Sequence, residues 1–210
     1  MLLYYITDRK QFPGSESERR ECLLKKIAEA ARAGIDYVQL REKDLPAREL
    51  ESLAQEAAQA IRDSRSRTRL LINSRTDIAL AAQADGVHLT SNDISPFDVR
   101  KIWRAAQKPH EPIIGVSCHN EAEVIEAKRA AADFVVFGPV FEKRASELSP
   151  VGMDQLRKVC RHQIPVIALG GVTLENARLC VEAGASGVAG IRLFQEGDVS
   201  ITVAKLRNLT

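Results

Sequence analysis

The sequence lacks the long apolar run of a membrane span, and its charges are nearly balanced. No stretch comes near the roughly twenty apolar residues that cross a bilayer. The apolar start, Met1 to Thr7, meets the charged Asp8 too early for a signal peptide. Acidic and basic residues are interspersed, and the net charge is +2. The sequence lacks the stripe of basic residues that binds nucleic acid. We therefore expect neither a membrane nor nucleic acid as a partner.

Cysteine and aromatic residues are scarce. No cysteine belongs to a CxxC pair or to a cysteine-histidine pattern that would bind zinc; the four are Cys22, Cys118, Cys160 and Cys180. Such a set is typical of reduced, mostly buried thiols, which indicates a cytoplasmic protein. The 210 residues are 45% hydrophobic, 28% charged and 5% aromatic, which is ordinary for one globular domain.

A short motif recurs where every second apolar segment begins. Its copies are Ile35-Asp36-Tyr37-Val38, Ala84-Asp85-Gly86-Val87, Ala132-Asp133-Phe134-Val135 and Ala185-Ser186-Gly187-Val188. The second positions, 36, 85, 133 and 186, are 49, 48 and 53 residues apart. This spacing covers two βα units four times over, so it predicts eight βα units. We therefore predict a single-domain (β/α)8 TIM barrel over residues 1–210. The rival, an open doubly wound sheet, would carry a GxGxxG turn that the sequence lacks.

Polar residues concentrate where the predicted strands end, which is where such barrels place their active sites. They are Gln39, Arg41 and Lys43 after strand two, Asn73 after three, Asp93 after four, Ser117 and His119 after five, and Lys143 after six. Gln39, Arg41 and Lys43 alternate, so they would share one inward face. Two cations on such a face are costly unless an anion joins them. The pattern therefore predicts an anion-binding site at Arg41 and Lys43, which we call the anion seat. The alternative is that Arg41 and Lys43 are solvated or pair with Glu42 and Asp44.

Glycines mark the last two predicted strands. The strand at 165–169 precedes Gly170 and Gly171, and the strand at 187–191 contains Gly190 and leads into Arg192. Glycine lets an anion approach bare backbone N–H groups, so two neighbouring strand ends of this kind predict a phosphate seat. The alternative is that these glycines only make tight turns. Thr173 is expected to cap the helix between the two strands.

Six segments together resemble the thiamine phosphate synthase family. They are Gln39-Leu-Arg41-Glu-Lys43, Leu71-Ile-Asn73, Ala84-Asp-Gly-Val-His-Leu89, Gly115-Val-Ser117-Cys-His119, Phe137-Gly-Pro-Val-Phe141 and Ala168-Leu-Gly-Gly171. They follow the order and spacing of that family over nearly the whole chain. The resemblance implies a TIM-barrel transferase that joins hydroxymethylpyrimidine diphosphate to thiazole phosphate, with release of pyrophosphate, in thiamine biosynthesis.

The resemblance also implies a role for each matched residue. Pyrimidine diphosphate would be bound by Gln39, Arg41, Lys43, Asn73, Ser117 and Lys143. Thiazole phosphate would be bound by Gly171, Gly190, Ile191 and Arg192. Asp93 would ligate Mg²⁺, the implied cofactor, and no further catalytic side chain is expected. A pyrimidine cation forms as diphosphate leaves, which requires cations and a metal rather than a nucleophile. Small phosphorylated molecules are the expected partners, and a homodimer stays open.

Three positions depart from the family pattern and leave alternatives open. Ser74 stands in place of an aspartate that would be a second metal ligand, and Arg192 stands in place of a serine. The segment 143–146 reads Lys-Arg-Ala-Ser where the family has Thr-x-Thr-Lys. The thiazole tautomerase branch also lacks the second metal aspartate, but its catalytic histidine would fall at Pro139. A tautomerase-branch enzyme and a non-catalytic barrel that binds phosphate ligands are therefore the alternatives.

Overall fold

Eight parallel strands form a closed barrel. The computed structural model of the protein describes residues 1–142 and 150–209. The strands are β1 Leu2–Ile6, β2 Tyr37–Leu40, β3 Arg69–Asn73, β4 Gly86–Leu89, β5 Ile113–Cys118, β6 Phe134–Phe137, β7 Val166–Leu169 and β8 Gly187–Gly190. Each strand pairs in parallel with the next, and β8 pairs with β1. The predicted (β/α)8 barrel is therefore confirmed.

Helices connect the strands on the outside of the barrel. They are α1 Glu16–Ala33, α2 Ala47–Asp63, α3 Thr76–Ala81, α4 Pro96–Ala105, α5 Glu121–Arg129, α6 Gly152–Val159, α7 Ala177–Glu182, α8 Arg192–Gln195 and α9 Val199–Arg207, with 3₁₀ turns at Arg9–Gln11 and Cys160–His162. Ser15 and Glu18 form a capping box at the start of α1. No helix in the described ranges combines the length and the apolar character that a membrane crossing needs.

Successive residues of each strand point alternately into the barrel and toward the helices, so the strands contribute to two cores. One core fills the barrel interior and consists of Tyr4, Ile6, Leu71, Phe134, Val136, Ile167 and Ala189. The neighbouring strand residues point outward, and they form the larger core between barrel and helices. In the interior, the ring of Phe134 stacks on Tyr37 at 5.2 Å and meets the edge of Tyr4 at 5.6 Å. The base of the predicted mouth is therefore a packed aromatic layer.

Closure of the barrel depends on a close approach between its first and last strands. Leu2 is the partner of Gly187 in the β1–β8 register. A Cβ atom added to Gly187 would lie 2.1 Å from the carbonyl oxygen of Leu2. Only glycine allows the two backbones to come this close.

The helices mostly end in left-handed turns that lead into the next strand. Gly34, with φ of 89°, ends α1, and Gly184, with φ of 97°, follows α7. Four other helices, α2 to α5, are followed by non-glycine residues at positive φ: Arg65, Gln83, Gln107 and Ala131. The left-handed region costs a residue with a Cβ roughly 1–2 kcal/mol. These turns all lie at the amino-terminal end of the strands.

The helix between β7 and β8 differs from its prediction. It begins at Ala177, and its N-cap position is Asn176, which makes no side-chain capping bond. The expectation that Thr173 caps it is wrong. Asn176 instead accepts a hydrogen bond from the Thr173 N–H at 2.8 Å and donates to the Gly171 carbonyl at 2.9 Å. The loop after β7 is therefore longer, and Asn176 fixes its shape.

The interior aromatic layer should be a main source of stability. Phe134 is 2% exposed, so Phe134→Ala leaves a cavity and should lower the free energy of unfolding by about 3–5 kcal/mol. Phe97 on α4 is 56% exposed, so Phe97→Ala should change it by less than about 0.5 kcal/mol. Urea denaturation measures both. Equal losses in the two variants would contradict a packed interior.

Candidate active site

The barrel brings most of the predicted site residues to one end. Gln39 lies in β2, Asn73 ends β3 and Ser117 lies in β5. Asp93 follows β4, and Gly171 follows β7. Because all eight strands are parallel and the barrel is closed, these positions share its carboxyl-terminal rim. The structure thus provides the single mouth that the sequence predicts.

A chain of hydrogen bonds crosses the barrel just below this mouth. Gln39 Nε2 donates to the Tyr4 hydroxyl at 3.1 Å. The Tyr4 hydroxyl lies 3.1 Å from His88 Nδ1, and His88 Nε2 lies 2.8 Å from Ser117 Oγ. Tyr4, Gln39 and His88 are each at most 2% exposed. Four strands, β1, β2, β4 and β5, therefore share one buried polar network.

The network fixes the protonation of His88. Burial, together with the nearby positive charge of Arg41, lowers the pKa of His88 to about 3, so the imidazole is neutral. Burial raises the pKa of Tyr4, which keeps its hydroxyl protonated. Since Tyr4 accepts from Gln39, it donates its own proton to Nδ1, and the imidazole proton sits on Nε2. Ser117 Oγ accepts a hydrogen bond from this N–H, so its own hydroxyl can donate to an acceptor in the mouth.

The cations after β2 are not paired as the alternative interpretation expected. Neither Arg41, half-buried, nor Lys43, exposed, forms an ion pair with any residue in the described ranges. Glu42 and Asp44 bind Arg9, which follows β1, at 3.0 and 2.7 Å. Arg41 also acts electrostatically on His88, which places its charge close to the mouth. Two cations thus lie at the end of β2 without a counter-charge from the part of the chain that the structure describes.

Ser74 and Asp93 form a direct pair at the ends of β3 and β4. Asn73 Nδ2 donates to Ser74 Oγ at 3.1 Å, and Ser74 Oγ donates to Asp93 Oδ2 at 2.7 Å. The same Oδ2 accepts from the Thr90 N–H at 2.6 Å and from the Thr90 hydroxyl at 3.0 Å. Ser74 has a φ of 58°, in the left-handed region that Asp and Asn tolerate best. The turn therefore keeps a backbone suited to aspartate while it carries serine.

The Asp93 carboxylate fits a magnesium ion in a restricted way. Its Oδ2 is occupied by three donors, whereas no residue that the structure describes donates to Oδ1. Within residues 1–142 and 150–209, no three His, Cys, Asp or Glu side chains group as metal ligands. Magnesium commonly binds through one or two carboxylates together with phosphate and water oxygens. Asp93 fits such an ion only when a phosphate supplies further ligands.

The glycine-rich strand ends lie side by side. Leu169 in β7 is the partner of Ala189 in β8, so Gly171 and Gly190 follow adjacent positions. Gly171 has a φ of 65°, and a Cβ added to it would lie 2.5 Å from the Glu142 carbonyl oxygen. No residue in the described ranges accepts a hydrogen bond from its N–H. A bare N–H in a backbone open only to glycine is consistent with the predicted phosphate seat.

The remaining predicted residues fall in different surroundings. Ile191 is half-buried, while Arg192 is exposed and begins the short helix α8. Lys143 lies outside the described residues, so its role stays a prediction. His119 Nδ1 lies 2.6 Å from the Gly138 carbonyl oxygen, which makes it a wall residue. Burial raises the pKa of the Cys118 thiol to about 12, so it is protonated and packed rather than nucleophilic.

Sequence reasoning missed three side chains of this region. Tyr4, His88 and Arg9 received no role, although His88 lies within a segment that carries the family resemblance. The available signal was a polar residue at an inward-pointing position of a buried strand, because such a side chain needs a hydrogen-bond partner. The partner of His88 comes from β1, 84 residues away, and no local pattern names it.

Comparisons with known proteins agree with this geometry. The sequence model of the thiamine monophosphate synthase family matches residues 3–194. The thiamine-phosphate synthase of Syntrophomonas wolfei is 35% identical over 211 residues, which cover 99% of this chain and 95% of the relative. A Geobacter sulfurreducens protein, provisionally named a thiamine-phosphate synthase, is 44% identical over 190 residues, with 89% and 83% covered. The solved thiamine phosphate pyrophosphorylase of Pyrococcus furiosus is 30% identical, with a TM-score of 0.81 over 99% and 94% of the two chains.

The neutral His88 should make the fold sensitive to acid. Unfolded histidine titrates near pH 6.5, whereas His88 in the folded protein titrates at about 3. Its contribution to stability is therefore complete above about pH 6.5 and is lost as the pH falls toward 3, by up to about 1.4 kcal/mol per pH unit.

Replacing His88 should remove this dependence. In His88→Gln, the free energy of unfolding should fall less steeply than in the parent between about pH 6 and pH 4, by up to that slope. Denaturant titrations at several pH values measure it. His110→Gln, at an exposed position, is the control and should keep the parental slope. Parallel slopes for the parent and His88→Gln would show that His88 is not held neutral.

Proposed function

The chain belongs to the thiamine monophosphate synthase family and is a transferase of thiamine biosynthesis. We propose that it joins hydroxymethylpyrimidine diphosphate to thiazole phosphate and releases pyrophosphate. The observation that carries this assignment is the pair of cations Arg41 and Lys43, on the same rim as Gly171, which form no ion pair within residues 1–142 and 150–209. Two separate anion seats at one mouth suit two phosphorylated substrates.

The proposed reaction breaks one bond and forms one. The bond from the pyrimidine methylene carbon to the diphosphate oxygen breaks, and its electron pair leaves with pyrophosphate. The thiazole nitrogen then gives its lone pair to that carbon, which forms the C–N bond and a thiazolium. No protein nucleophile is needed, in agreement with the protonated Cys118.

Positive charge at the leaving group is what the protein supplies. Arg41 and Lys43 bind the diphosphate in this proposal and stabilise the charge that develops on it. Mg²⁺, held by Asp93, would add charge to the same phosphate oxygens. Gly171, Gly190 and Ile191 bind the thiazole phosphate through backbone N–H groups, and the exposed Arg192 adds a cation beside them.

The buried polar network orients the pyrimidine in this proposal. Gln39 and Ser117 flank the floor of the mouth, and the His88 tautomer leaves the Ser117 proton available to a ring nitrogen or a diphosphate oxygen. Asn73 already bonds Ser74, beside the proposed metal position. Lys143 is retained as a diphosphate ligand on the family resemblance alone.

One observation favours a second candidate. Ser74 occupies the place of a metal-binding aspartate, which the thiazole tautomerase branch also lacks. An assay with both substrates separates the candidates, because the synthase forms thiamine phosphate and pyrophosphate, whereas a tautomerase converts only the thiazole. Binding without turnover would indicate a non-catalytic barrel. The homodimer and the cytoplasmic location stay predictions.

Arg41 should contribute mainly to binding of the diphosphate substrate. Arg41→Ala removes a charge-assisted contact and should weaken pyrimidine diphosphate binding by about 1.5–3 kcal/mol, with little effect on thiazole phosphate. Calorimetry with each substrate measures both. Arg69→Ala is the control, since Arg69 pairs with Asp85 at the opposite end of the barrel. Unchanged diphosphate affinity would remove Arg41 from the site.

Magnesium should bind only together with diphosphate. Asp93 offers one free carboxylate oxygen, so the protein alone should bind Mg²⁺ poorly. Asp93→Asn should abolish magnesium-dependent turnover, and Ser74→Asp should tighten the metal site by adding a second carboxylate. Asp98→Asn, at the first turn of α4, is the control. Tight Mg²⁺ binding by the ligand-free protein in calorimetry would reveal ligands other than Asp93.

A further inference from the structure

Arg9 is a buried arginine outside the proposed set of substrate ligands. It begins the 3₁₀ turn after β1 and is 3% exposed. Its Nη1 donates to Glu42 Oε2 at 3.0 Å and to Asp44 Oδ1 at 2.7 Å, and its Nη2 donates to Asp44 Oδ2 at 2.7 Å. Its Nε donates to Glu16, which is largely exposed. One guanidinium thus binds both carboxylates of the segment that follows β2.

A second contact joins this cluster to the backbone of the seat. Glu42 Oε1 accepts a hydrogen bond from the Thr7 hydroxyl at 2.6 Å. The Thr7 hydroxyl oxygen in turn accepts from the Arg41 N–H at 3.0 Å. Glu42 also accepts from the Arg9 backbone N–H at 3.1 Å. The position of the Arg41 backbone is therefore tied to Arg9 through Glu42 and Thr7.

The charges of the segment explain why this matters. Along the chain, Arg41 and Lys43 alternate with Glu42 and Asp44, so the four residues sum to zero charge. The two carboxylates adjoin the two cations in sequence and carry the opposite charge. Arg9 binds both, and Lys10 also binds Asp44 at 3.1 Å. Among the residues that the structure describes, none then forms an ion pair with the cations of the seat.

We propose that Arg9 is a positioning residue for the anion seat, which keeps Glu42 and Asp44 away from Arg41 and Lys43 so that a diphosphate can bind them. The proposal rests on the proposed function of Arg41 and Lys43. Arg9 touches no substrate in it and acts only through the two carboxylates. An arginine suits this task because its planar fork binds two carboxylates at once, which a lysine ammonium does not reproduce.

The protonation of the carboxylates agrees with this role. Hydrogen bonds from Arg9 hold the pKa of Asp44 well below its usual range, so Asp44 is ionised at neutral pH. Burial raises the pKa of Glu42, and its bonds to Thr7 and Arg9 reduce that rise. Removing the guanidinium would leave Asp44 charged and close to the seat, where it competes with a bound anion.

Calorimetry with inorganic pyrophosphate in the presence of magnesium tests the proposal. Arg9→Met should weaken pyrophosphate binding roughly tenfold, the size expected when a released carboxylate replaces the anion in one charge-assisted contact of Arg41 or Lys43. Adding Glu42→Gln and Asp44→Asn to Arg9→Met should restore most of that affinity, because the released carboxylates are then neutral. A merely structural arginine would lower the thermal stability of Arg9→Met but leave the pyrophosphate affinity of the folded variant unchanged. Unchanged affinity in Arg9→Met, or a loss that neutralisation does not repair, overturns the proposal.

Two further variants keep the outcome interpretable. Arg100 binds Asp133 at 2.9 Å and the Pro112 carbonyl at 3.2 Å, at the opposite end of the barrel, so Arg100→Met should lower thermal stability without changing pyrophosphate affinity. If Arg9→Met does not fold, Arg9→Lys takes its place, with a smaller loss that Asp44→Asn repairs. Arg41→Ala tests separately whether Arg41 belongs to the anion seat. If that variant binds pyrophosphate as the parent does, the seat itself is wrong, whatever Arg9 does.

Discussion

Closure of a parallel barrel is the constraint on which the rest of this structure depends. The β1–β8 pairing requires the carbonyl of Leu2 to approach Gly187 where a side chain would collide. All eight strands of the closed ring run in the same direction, so their carboxyl ends form one rim. Residues from β2, β4 and β8 meet there although they are far apart in sequence. The site is a consequence of topology before it is a consequence of individual side chains.

Charged side chains lie at the rim, whereas the polar side chains beneath it are neutral. The interior holds neutral groups in hydrogen-bonded order, with His88 unprotonated between Tyr4 and Ser117. Cations lie above it, and the carboxylates next to them are bound by an arginine from another strand end. The mouth is therefore positive where an anion is expected and uncharged where an aromatic ring would rest. Such an arrangement requires little rearrangement when a charged substrate arrives.

The sequence predicted the architecture well because repeat spacing and apolar runs are local signals. It placed Arg41 and Gly171 on one rim for the same reason, since strand ends are visible in the sequence. The cap at Thr173 was wrong because residues 174–176 form a turn before the helix begins at Ala177, and Asn176 accepts from the Thr173 N–H. Tyr4 is 84 residues from His88, and Glu42 and Asp44 are 33 and 35 residues from Arg9. These pairings are set by barrel register, which no local pattern encodes, so the supporting contacts could not be predicted.

The left-handed helix ends mark where this protein tolerates strain. Arg65, Gln83, Gln107 and Ala131 occupy a conformation in which glycine would be more comfortable, and all four lie at the end of the barrel opposite the mouth. That end contributes to holding the barrel together, whereas the rim selects ligands. Substitutions that raise thermal stability are therefore best made at these helix ends, because they lie at the amino-terminal end of the barrel and leave the reacting groups unchanged. Durability and chemistry can be altered independently in this barrel.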